Sequence, residues 1–348
     1  MLVMMDETRT PTHWALRNHG SAMPRIANCG PGADKIHVAL VNNMPDAALE
    51  DTESQFFDLL NSAAGDIPVR LRLYSLPGVP RGDRGNEHLN RFYLDIADLL
   101  NRRFDGVIIT GTEPRQSDLR KEPYWGILTE VLQWAEYNTN STLLSCLAAH
   151  AGVLHSDGIE RHPLDEKKFG VFKETKSFDH PLTAGLSHEM QFPHSRWNEV
   201  REDALTSSGY RVLTKSSQAG VNLFVKQKKK SLFVHFQGHP EYEAGTLLKE
   251  YRRDVKRFLR QERQIYPSLP RGYFDDAATK VLNEFQETAL AHRNEQLIRG
   301  FPEPVVASTG VSAWHSEAVG IYRNWLRHIA SKRADRSVRA SSARVARG

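Results

Sequence analysis

The sequence predicts an α/β fold, a doubly wound and mostly parallel sheet followed by extra C-terminal helices. Over the first half of the chain, short apolar runs typical of buried strands alternate with longer stretches in which apolar residues recur at helical spacing. Two of the apolar runs end in glycine or in a reactive side chain. Strands that alternate with helices pair in parallel, and such sheets bind ligands beyond the carboxyl ends of their strands. We therefore expect the functional residues at that edge.

The elements of the first half follow in order from these patterns. The run 36–41 (Ile-His-Val-Ala-Leu-Val) is rich in branched apolar residues and predicts a buried strand, whereas 69–74 alternates apolar and polar residues and predicts a half-buried one. Further predicted strands are 106–110 and 143–146, and the predicted helices are 47–62, 89–102 and 124–137.

The second half predicts shorter strands and three more helices. The strands are 170–172, 211–214, 221–225 and 231–236, and the helices are 244–260, 273–298 and 312–329. The polar run 226–230, between the last two strands, predicts a hairpin turn.

Length and composition predict one large domain with an appendage at each end. The 348 residues are 40% apolar and 25% charged, which suffices for a sizeable core. Residues 1–34 contain several prolines and glycines, which predicts an N-terminal arm. The catalytic domain is predicted over 35–330. The remaining residues, 331–348, are rich in Arg, Ser and Ala, which predicts a disordered basic tail. Much of the net charge of +4 lies in that tail, so nucleic acid is not an expected partner.

The chain carries no pattern for membrane insertion or secretion. No run of about eighteen uncharged apolar residues occurs, and the N-terminus lacks an apolar stretch before a cleavage site. The two cysteines, Cys29 and Cys146, are typical of cytosolic thiols. We therefore expect a cytoplasmic protein without membrane contact, in which Cys29 has no assignable role.

Cys146 is the sharpest candidate for a catalytic residue. It ends a strand-like run and is followed by small residues suited to a helix that begins at Leu147, which is how a strand-to-helix turn presents a nucleophile. The positive end of such a helix lowers the pKa of a thiol, and backbone N–H groups there, that of Leu147 among them, stabilise an oxyanion. The alternative is a buried cysteine that acts as a small apolar residue.

A histidine and a carboxylate after another predicted strand favour the nucleophile. His239 and Glu241 follow the strand 231–236, and Pro240 between them stiffens the turn. Cysteine, imidazole and carboxylate at neighbouring strand ends form a nucleophilic triad, in which Glu241 orients the ring. The expected chemistry is a covalent acyl-enzyme.

The sequence lacks the patterns of nucleotide and metal sites. Neither glycine-rich phosphate motif occurs, and His150 and His155 do not share a helical face at metal-ligand spacing. His150, one turn after Cys146, is interpreted as a structural group. We therefore expect no metal, no cofactor and no nucleotide-driven reaction, although a coenzyme A thioester as co-substrate needs no such loop.

Several motifs together resemble the homoserine O-acyltransferases of the MetA type. They are 38–56, 87–93, 105–111, 124–125, 238–242, 313–316 and 324–326. That family is similar in fold to the class I glutamine amidotransferases, whose sheet is flavodoxin-like, and it transfers an acyl group from coenzyme A. The resemblance covers residues 35–329 and implies a homodimer with a place in methionine synthesis.

The resemblance also implies roles for the matching residues. Cys146 would carry the acyl group as a thioester, and His239, supported by Glu241, would be the general base. The residues that match the amino-acid contacts are Lys167, Ser195 and Arg253. An arginine suits this role because it grips a carboxylate through two N–H groups. Without the resemblance, the lysine and the arginine would be interpreted as ordinary solvated charges.

Arg115 departs from the family at a position that bears on the acyl donor. A small residue there accompanies succinyl transfer in the family, and an acidic one accompanies acetyl transfer. The charge of an arginine suits the free carboxylate of a succinyl group, so it favours succinyl-CoA. Leu147 and His150 also replace family residues near the cysteine, which leaves the acceptor open among small hydroxy amino acids.

The expected activity is transfer of succinyl from succinyl-CoA to the hydroxyl of L-homoserine by a ping-pong route. One alternative is the same transfer from acetyl-CoA. Another is a glutamine amidotransferase-like hydrolase, disfavoured because those enzymes commonly set the nucleophile between glycines, whereas Ser145 and Leu147 flank Cys146. The third is a non-catalytic binding protein with a basic tail, which the intact triad disfavours.

Overall fold

The computed structural model describes residues 3–4, 35–303 and 313–345 of the chain. Its strands are β1 (Val3–Met4), β2 (Ile36–Val41), β3 (Val69–Tyr74), β4 (Gly106–Ile109), β5 (Ser141–Ser145), β6 (His162–Lys176), β7 (Glu189–Glu199), β8 (Arg211–Ser216), β9 (Gly220–Lys228) and β10 (Ser231–Phe236). They form one sheet in the order β1-β3-β2-β4-β5-β10-β9-β8-β6-β7. The first six strands of that order pair in parallel and the others pair antiparallel.

Helices cover both faces of the parallel half. They are α1 (Asp46–Ala64), α2 (Asp83–Phe92), α3 (Ile96–Leu100), α4 (Trp125–Asn138), α5 (Leu147–Asp157), α6 (Glu202–Ser207), α7 (Thr246–Leu259), α8 (Asp276–Ala291) and α9 (His315–Val345), with short 3-10 turns at Leu119–Lys121, Pro181–Thr183 and Glu295–Gly300. Phe56 of α1 and Trp325 of α9 belong to the core on one face, and Val131 of α4 and Ala148 of α5 belong to the core on the other. The predicted doubly wound α/β fold is confirmed.

The inner parallel strands are apolar throughout because both of their faces are covered. Every residue of β4 and β5 is buried, and in β2 all but His37 are buried. β2 pairs with β3 and β4, and β4 pairs with β5, so the carboxyl ends of these strands share one edge. The predicted functional residues follow those ends.

The antiparallel half contains the predicted hairpin and one strand that was missed. β9 and β10 form the hairpin, with Lys229 at φ 47° in its turn. β6 is 15 residues long, whereas the sequence predicts only 170–172, and most of it pairs with the unpredicted β7. Charged residues and Pro193 interrupt the apolar alternation of these strands, which hides them from a period-two pattern.

The predicted helix 89–102 is wrong in one respect, because it is two helices, α2 and α3. Leu94 between them forms a parallel bridge to Tyr74 at the end of β3. Asp95 then caps α3, and its carboxylate accepts the Ala97 N–H at 2.7 Å. A side-chain cap of this kind starts a new helix within a stretch whose apolar spacing predicts one.

At the N-terminus, part of the predicted arm 1–34 belongs to the sheet. Val3 is 1% exposed and pairs in parallel with Val69 of β3. Residues 5–34, with Cys29 among them, lie outside the described part of the chain.

At the C-terminus, α9 continues to Val345, which corrects the predicted disorder of 331–348 over most of its length. The composition that suggests disorder is also rich in Ala and Arg, which have high helix propensity. Arg333 in this part of α9 contacts the Asp105 carboxylate at 2.6 Å. Despite its length α9 is polar, and no helix in the described ranges is apolar enough to cross a membrane.

Candidate active site

Cys146 lies at a strained strand-to-helix turn between β5 and α5. Its backbone has φ 52° and ψ −112°, which is rare for a residue with a side chain. The Cys146 N–H donates to the Phe236 carbonyl at the end of β10, at 2.8 Å, and this bond holds the turn. The thiol is free and partly exposed. The predicted turn is therefore present in the form of a nucleophile elbow.

The sheet brings the thiol and the imidazole together. β5 and β10 are parallel neighbours, and Ser145 is in register with Phe236. Beyond β10 the His239 N–H donates to the Pro193 carbonyl of β7 at 2.8 Å, which fixes the backbone of the base. The side chains of Cys146 and His239 are hydrogen-bonded to each other.

Glu241 holds the imidazole from its other side. His239 Nδ1 lies 2.8 Å from Glu241 Oε1, and both residues are buried. Burial disfavours the charged ring, but Cys146 and Glu241 together raise the pKa of His239 well above its ordinary value. A protonated imidazole beside a thiolate is the reactive form of a cysteine nucleophile.

Two neighbouring side chains fix the orientation of this triad. Tyr242 stacks on His239, with ring centroids 4.2 Å apart and an interplanar angle of 18°. Ser145 Oγ donates to Glu241 Oε1 at 3.2 Å. Neither contact was predicted, because ring stacking and a shared carboxylate depend on how the turn after β10 folds back.

Gly111, two residues after the end of β4, lies close to the start of α5. A methyl group at Gly111 would come within 2.8 Å of Leu147 Cβ and 2.9 Å of its backbone nitrogen. A residue without a side chain is therefore needed for this approach. It leaves the Leu147 N–H at the positive end of α5, next to the thiol, where an oxyanion is favoured.

The residues predicted to bind the amino acid meet around one partly buried carboxylate, Glu250 of α7. Ser195 Oγ donates to Glu250 at 2.5 Å, and Lys167 Nζ lies 3.3 Å from the same carboxylate. The Arg253 guanidinium is 3.6 Å away from it. Tyr242 Oη donates to the other oxygen of Glu250 and so joins this pocket to the triad. The structure thus brings the three predicted residues together from β6, β7 and α7.

Glu250 balances the charges of this pocket, and the sequence reasoning missed it. Burial raises the pKa of its carboxyl, but Lys167 and Arg253 offset this and the net shift is downward. Glu250 is therefore ionised at neutral pH. Its position three residues before Arg253 on one helix places both on the same face, and that spacing was the available signal.

Arg115 lies on the loop after β4, outside this pocket. Its side chain is exposed and has no hydrogen-bond or ionic partner among the described residues. The backbone N–H groups of Arg115 and Gln116 each donate to Glu122 Oε1 at 2.6 Å. Glu122 therefore fixes the loop backbone and leaves the guanidinium in solvent.

His150 makes a buried contact within the fold. Its Nε2 lies 2.9 Å from Gln237 Oε1, and the Gln237 amide donates to the Val200 and Val221 carbonyls. Burial lowers the pKa of His150 to about 3, so its ring is neutral. Within the described ranges, no group of three His, Cys, Asp or Glu side chains is placed to hold a metal ion.

Comparison with known proteins gives a consistent assignment. A family model for homoserine O-succinyltransferase matches residues 9–336. A homoserine O-succinyltransferase of Methylorubrum extorquens is 44% identical over 89% of this chain and 92% of its own length, and one of Rhodopseudomonas palustris is 44% identical over 90% and 93%. Among solved structures, a glutamine amidotransferase from Methylobacillus flagellatus is similar with a TM-score of 0.47, at 12% identity over 85% of this chain and 96% of that chain. The chain belongs to the homoserine O-succinyltransferase family.

Proposed function

We propose that this chain transfers the succinyl group of succinyl-CoA to the hydroxyl of L-homoserine through a thioester on Cys146. The observation that carries the proposal is the hydrogen-bonded series of Cys146, His239 and Glu241 at the edge of two neighbouring parallel strands. The names of the relatives support these substrates. The reaction would belong to methionine biosynthesis.

In the first half-reaction, the Cys146 thiolate attacks the thioester carbonyl of succinyl-CoA. The carbonyl oxygen becomes an oxyanion beside the Leu147 N–H at the positive end of α5. When the intermediate collapses, the bond to the coenzyme A sulfur breaks and His239 gives its proton to that sulfur. This leaves succinyl-Cys146, free coenzyme A and a neutral imidazole.

In the second half-reaction, neutral His239 accepts the proton of the homoserine hydroxyl while its oxygen attacks the thioester carbonyl. Glu241 stabilises the imidazolium that forms. Collapse breaks the bond between the carbonyl carbon and Cys146 Sγ, releases O-succinylhomoserine and restores the thiolate–imidazolium pair. The route uses the coenzyme A thioester as co-substrate and needs no other cofactor.

The pocket around Glu250 supports a zwitterionic amino acid as the acceptor. Lys167 and Arg253 provide positive charges for the substrate carboxylate, the arginine through two parallel N–H groups. Glu250 provides a negative charge for the ammonium group, and Ser195 provides a hydroxyl. Tyr242 contacts Glu250 and stacks on the imidazole, so an amino acid bound here lies next to the base.

Arg115 supports succinyl-CoA as the acyl donor, and the modest net charge supports small molecules as the partners. The Arg115 charge, on the loop after Gly111, attracts a donor whose acyl group ends in a carboxylate. A net charge of +4 over 348 residues supports small-molecule partners rather than nucleic acid. We also propose that the chain acts in the cytoplasm as a homodimer.

Intact-protein mass spectrometry after brief exposure to succinyl-CoA or acetyl-CoA tests the function. We expect a succinyl adduct on the wild-type chain, none on Cys146→Ser, and loss of the adduct when homoserine is added. An acetyl adduct alone would overturn the donor while keeping the mechanism. No adduct from either donor on a thiol that still reacts with iodoacetamide would overturn the transferase in favour of a glutaminase.

A further inference from the structure

The succinyl group differs from acetyl by a carboxylate at the end away from the thioester, which we call the far carboxylate. Because the Arg115 side chain is exposed, it gives the far carboxylate no buried partner. A charged group that enters an apolar site needs hydrogen-bond donors or an opposite charge close to it. Among the described residues, Tyr124 and Arg161 offer such donors near Leu147 and the loop after β4.

A small cavity lies beside Leu147, the residue that follows Cys146. Its walls include Thr110 and Gly111 at the end of the β4 strand, Tyr124 and Leu128 at the start of α4, and Leu147 next to the thiol. The pocket around Glu250 mixes both charges, whereas the walls of this cavity carry no ionised side chain of their own. At about 10 Å³ the cavity admits only the end of a bound group, and its uncharged walls favour part of an acyl group over a zwitterionic amino acid.

Tyr124 brings an unused donor to this cavity. The residue is 3% exposed, and its Oη has no hydrogen-bond partner among the residues that the structure describes. Burial raises the pKa of Tyr124, so the hydroxyl keeps its proton at neutral pH. A buried hydroxyl without a partner is costly, and a bound ligand that accepts from it removes that cost.

Arg161 adds a positive charge beside the loop after β4. It directly precedes β6, and its guanidinium donates to the Gln116 carbonyl at 3.3 Å and the Ser117 carbonyl at 2.9 Å. These hydrogen bonds hold the Arg161 side chain against the loop after β4. Burial lowers the pKa of Arg161, and attraction to Tyr124, Glu122 and Cys146 opposes that shift, so all three groups lie within electrostatic reach.

The guanidinium of Arg161 still has capacity for an anion. Both of its hydrogen bonds go to backbone carbonyls, and it forms no ion pair with a carboxylate in the described part of the chain. Glu122 attracts it, but Glu122 Oε1 is already engaged by two backbone N–H groups at 2.6 Å. An arginine has five N–H donors, so several remain for a ligand.

We propose that Arg161 and Tyr124 form the subsite that binds the far carboxylate of the succinyl group, with Arg161 as the specificity-determining residue of the donor. The proposal rests on the succinyl transfer proposed above. Arg161 meets the carboxylate through its guanidinium N–H groups, and the Tyr124 hydroxyl donates a further hydrogen bond. Acetyl has no group for either donor, so the subsite discriminates between the two thioesters.

Rates of Cys146 acylation by succinyl-CoA and by acetyl-CoA, measured on the full chain, test the subsite. We expect Tyr124→Phe to lower the second-order rate constant of acylation by succinyl-CoA about tenfold. Arg161→Gln should lower it about a hundredfold, because each variant loses a hydrogen bond to a charged group. The acetyl rate should change less than about twofold. Arg120→Gln, an exposed arginine paired with Asp118 and Glu160, and Tyr137→Phe are the matched controls and should leave both rates unchanged.

The outcomes separate this subsite from the function on which it rests. Equal losses for both donors in Arg161→Gln and Tyr124→Phe would show that these residues only support the loop, and would overturn the subsite while the transferase stands. An unchanged succinyl rate in both variants would overturn it as well. A wild-type chain that takes an acyl group from neither donor would overturn the proposed function itself.

Discussion

The charge on His239 depends on three opposing influences at the scale of single residues. Burial of the ring lowers its pKa, whereas Cys146 and Glu241 raise it, and the raising effect dominates. The imidazole of the resting protein is therefore protonated at neutral pH. Removing either negative partner shifts this balance toward the neutral ring.

We expect Glu241→Gln to destabilise the protein more at low pH than at high pH. A raised folded-state pKa means that protonated His239 stabilises the fold fully below its ordinary value of about 6.5, and that this contribution is lost as the pH rises through the raised value. Urea unfolding at about pH 6 and about pH 9 measures the difference. Glu243→Gln, at an exposed position, is the control. If the difference in unfolding free energy between wild type and Glu241→Gln were no smaller at about pH 9 than at about pH 6, the raised pKa of His239 would be contradicted.

Gly111→Ala should impair both stability and acylation. The added methyl group would lie 2.8 Å from Leu147 Cβ, and overpacking of this kind costs about 1–3 kcal/mol of unfolding free energy. It would also displace the oxyanion amide, so the acylation rate should fall by more than about tenfold. Gly126→Ala has open space around it and should be neutral or slightly stabilising. Equal behaviour of the two variants in thermal melts and acylation assays would refute the close approach.

Sequence reasoning finds a functional residue when local pattern marks it. Cys146, His239 and Glu241 each follow a predicted strand, so their meeting at one edge could be anticipated from the alternation of strands and helices. Glu250 and Arg161 carry no such mark, because a partly buried acid and a partly buried arginine look like solvated charges until the elements pack. Glu250 depends on contacts across β6, β7 and α7, and Arg161 on contacts with the loop after β4, and no local pattern encodes either set.

At the scale of elements, α9 covers one face of the sheet. Trp325 is fully buried, and its Nε1–H donates to Ser141 Oγ in β5 at 2.9 Å. Gly106 makes room for the ring, since a methyl group there would come within 2.7 Å of it. The last helix therefore acts as a core element rather than as an appendage.

Replacing Trp325 should show this directly. We expect Trp325→Ala to lower the free energy of unfolding by about 3–5 kcal/mol, because it leaves a cavity over the sheet. Trp325→Phe should lose only about 1–2 kcal/mol, since it keeps much of the packing and gives up one hydrogen bond. Chemical denaturation measures both. Trp197→Phe, at a ring that is 48% exposed, should change little, and an equally small effect of Trp325→Ala would contradict the core role of α9.

Elements were predicted best where the apolar pattern is continuous. The strands β2, β3, β4, β5 and β10 agree closely with prediction because both faces, or one complete face, are buried. β7 was missed because its polar residues and Pro193 serve a pocket rather than a core. The C-terminal part of α9 was misjudged because the composition of a disordered segment overlaps with that of a polar helix.

At the scale of the whole molecule, chemistry and structural support occupy opposite edges of the sheet. Cys146 and His239 follow the carboxyl ends of β5 and β10. Asp105 precedes β4 at the amino edge, where its carboxylate accepts the His37 N–H at 3.0 Å and contacts Arg333 at 2.6 Å. Substitutions at the two edges should therefore have separable effects.

Arg333→Ala should destabilise the protein without slowing acylation. The change removes a charged hydrogen-bond partner from the buried Asp105 and should cost about 2 kcal/mol of unfolding free energy. Lys332→Ala, at the exposed neighbouring position, is the control. Denaturation and acylation kinetics on the same preparations check the separation, and a tenfold slower acylation in Arg333→Ala would show that the edges are coupled.

The pairing of β5 with β10 also sets when the candidate site can assemble during synthesis of the chain. Ser141 and Leu232, hydrogen-bonded across these strands, are 91 residues apart along the chain. A ribosome therefore delivers Cys146 long before Phe236, whose carbonyl holds the turn at Cys146, and before His239. Until β10 inserts beside β5, the growing chain lacks the hydrogen bond that fixes this turn. Closing this long loop is thus the folding step that brings Cys146, His239 and Glu241 together.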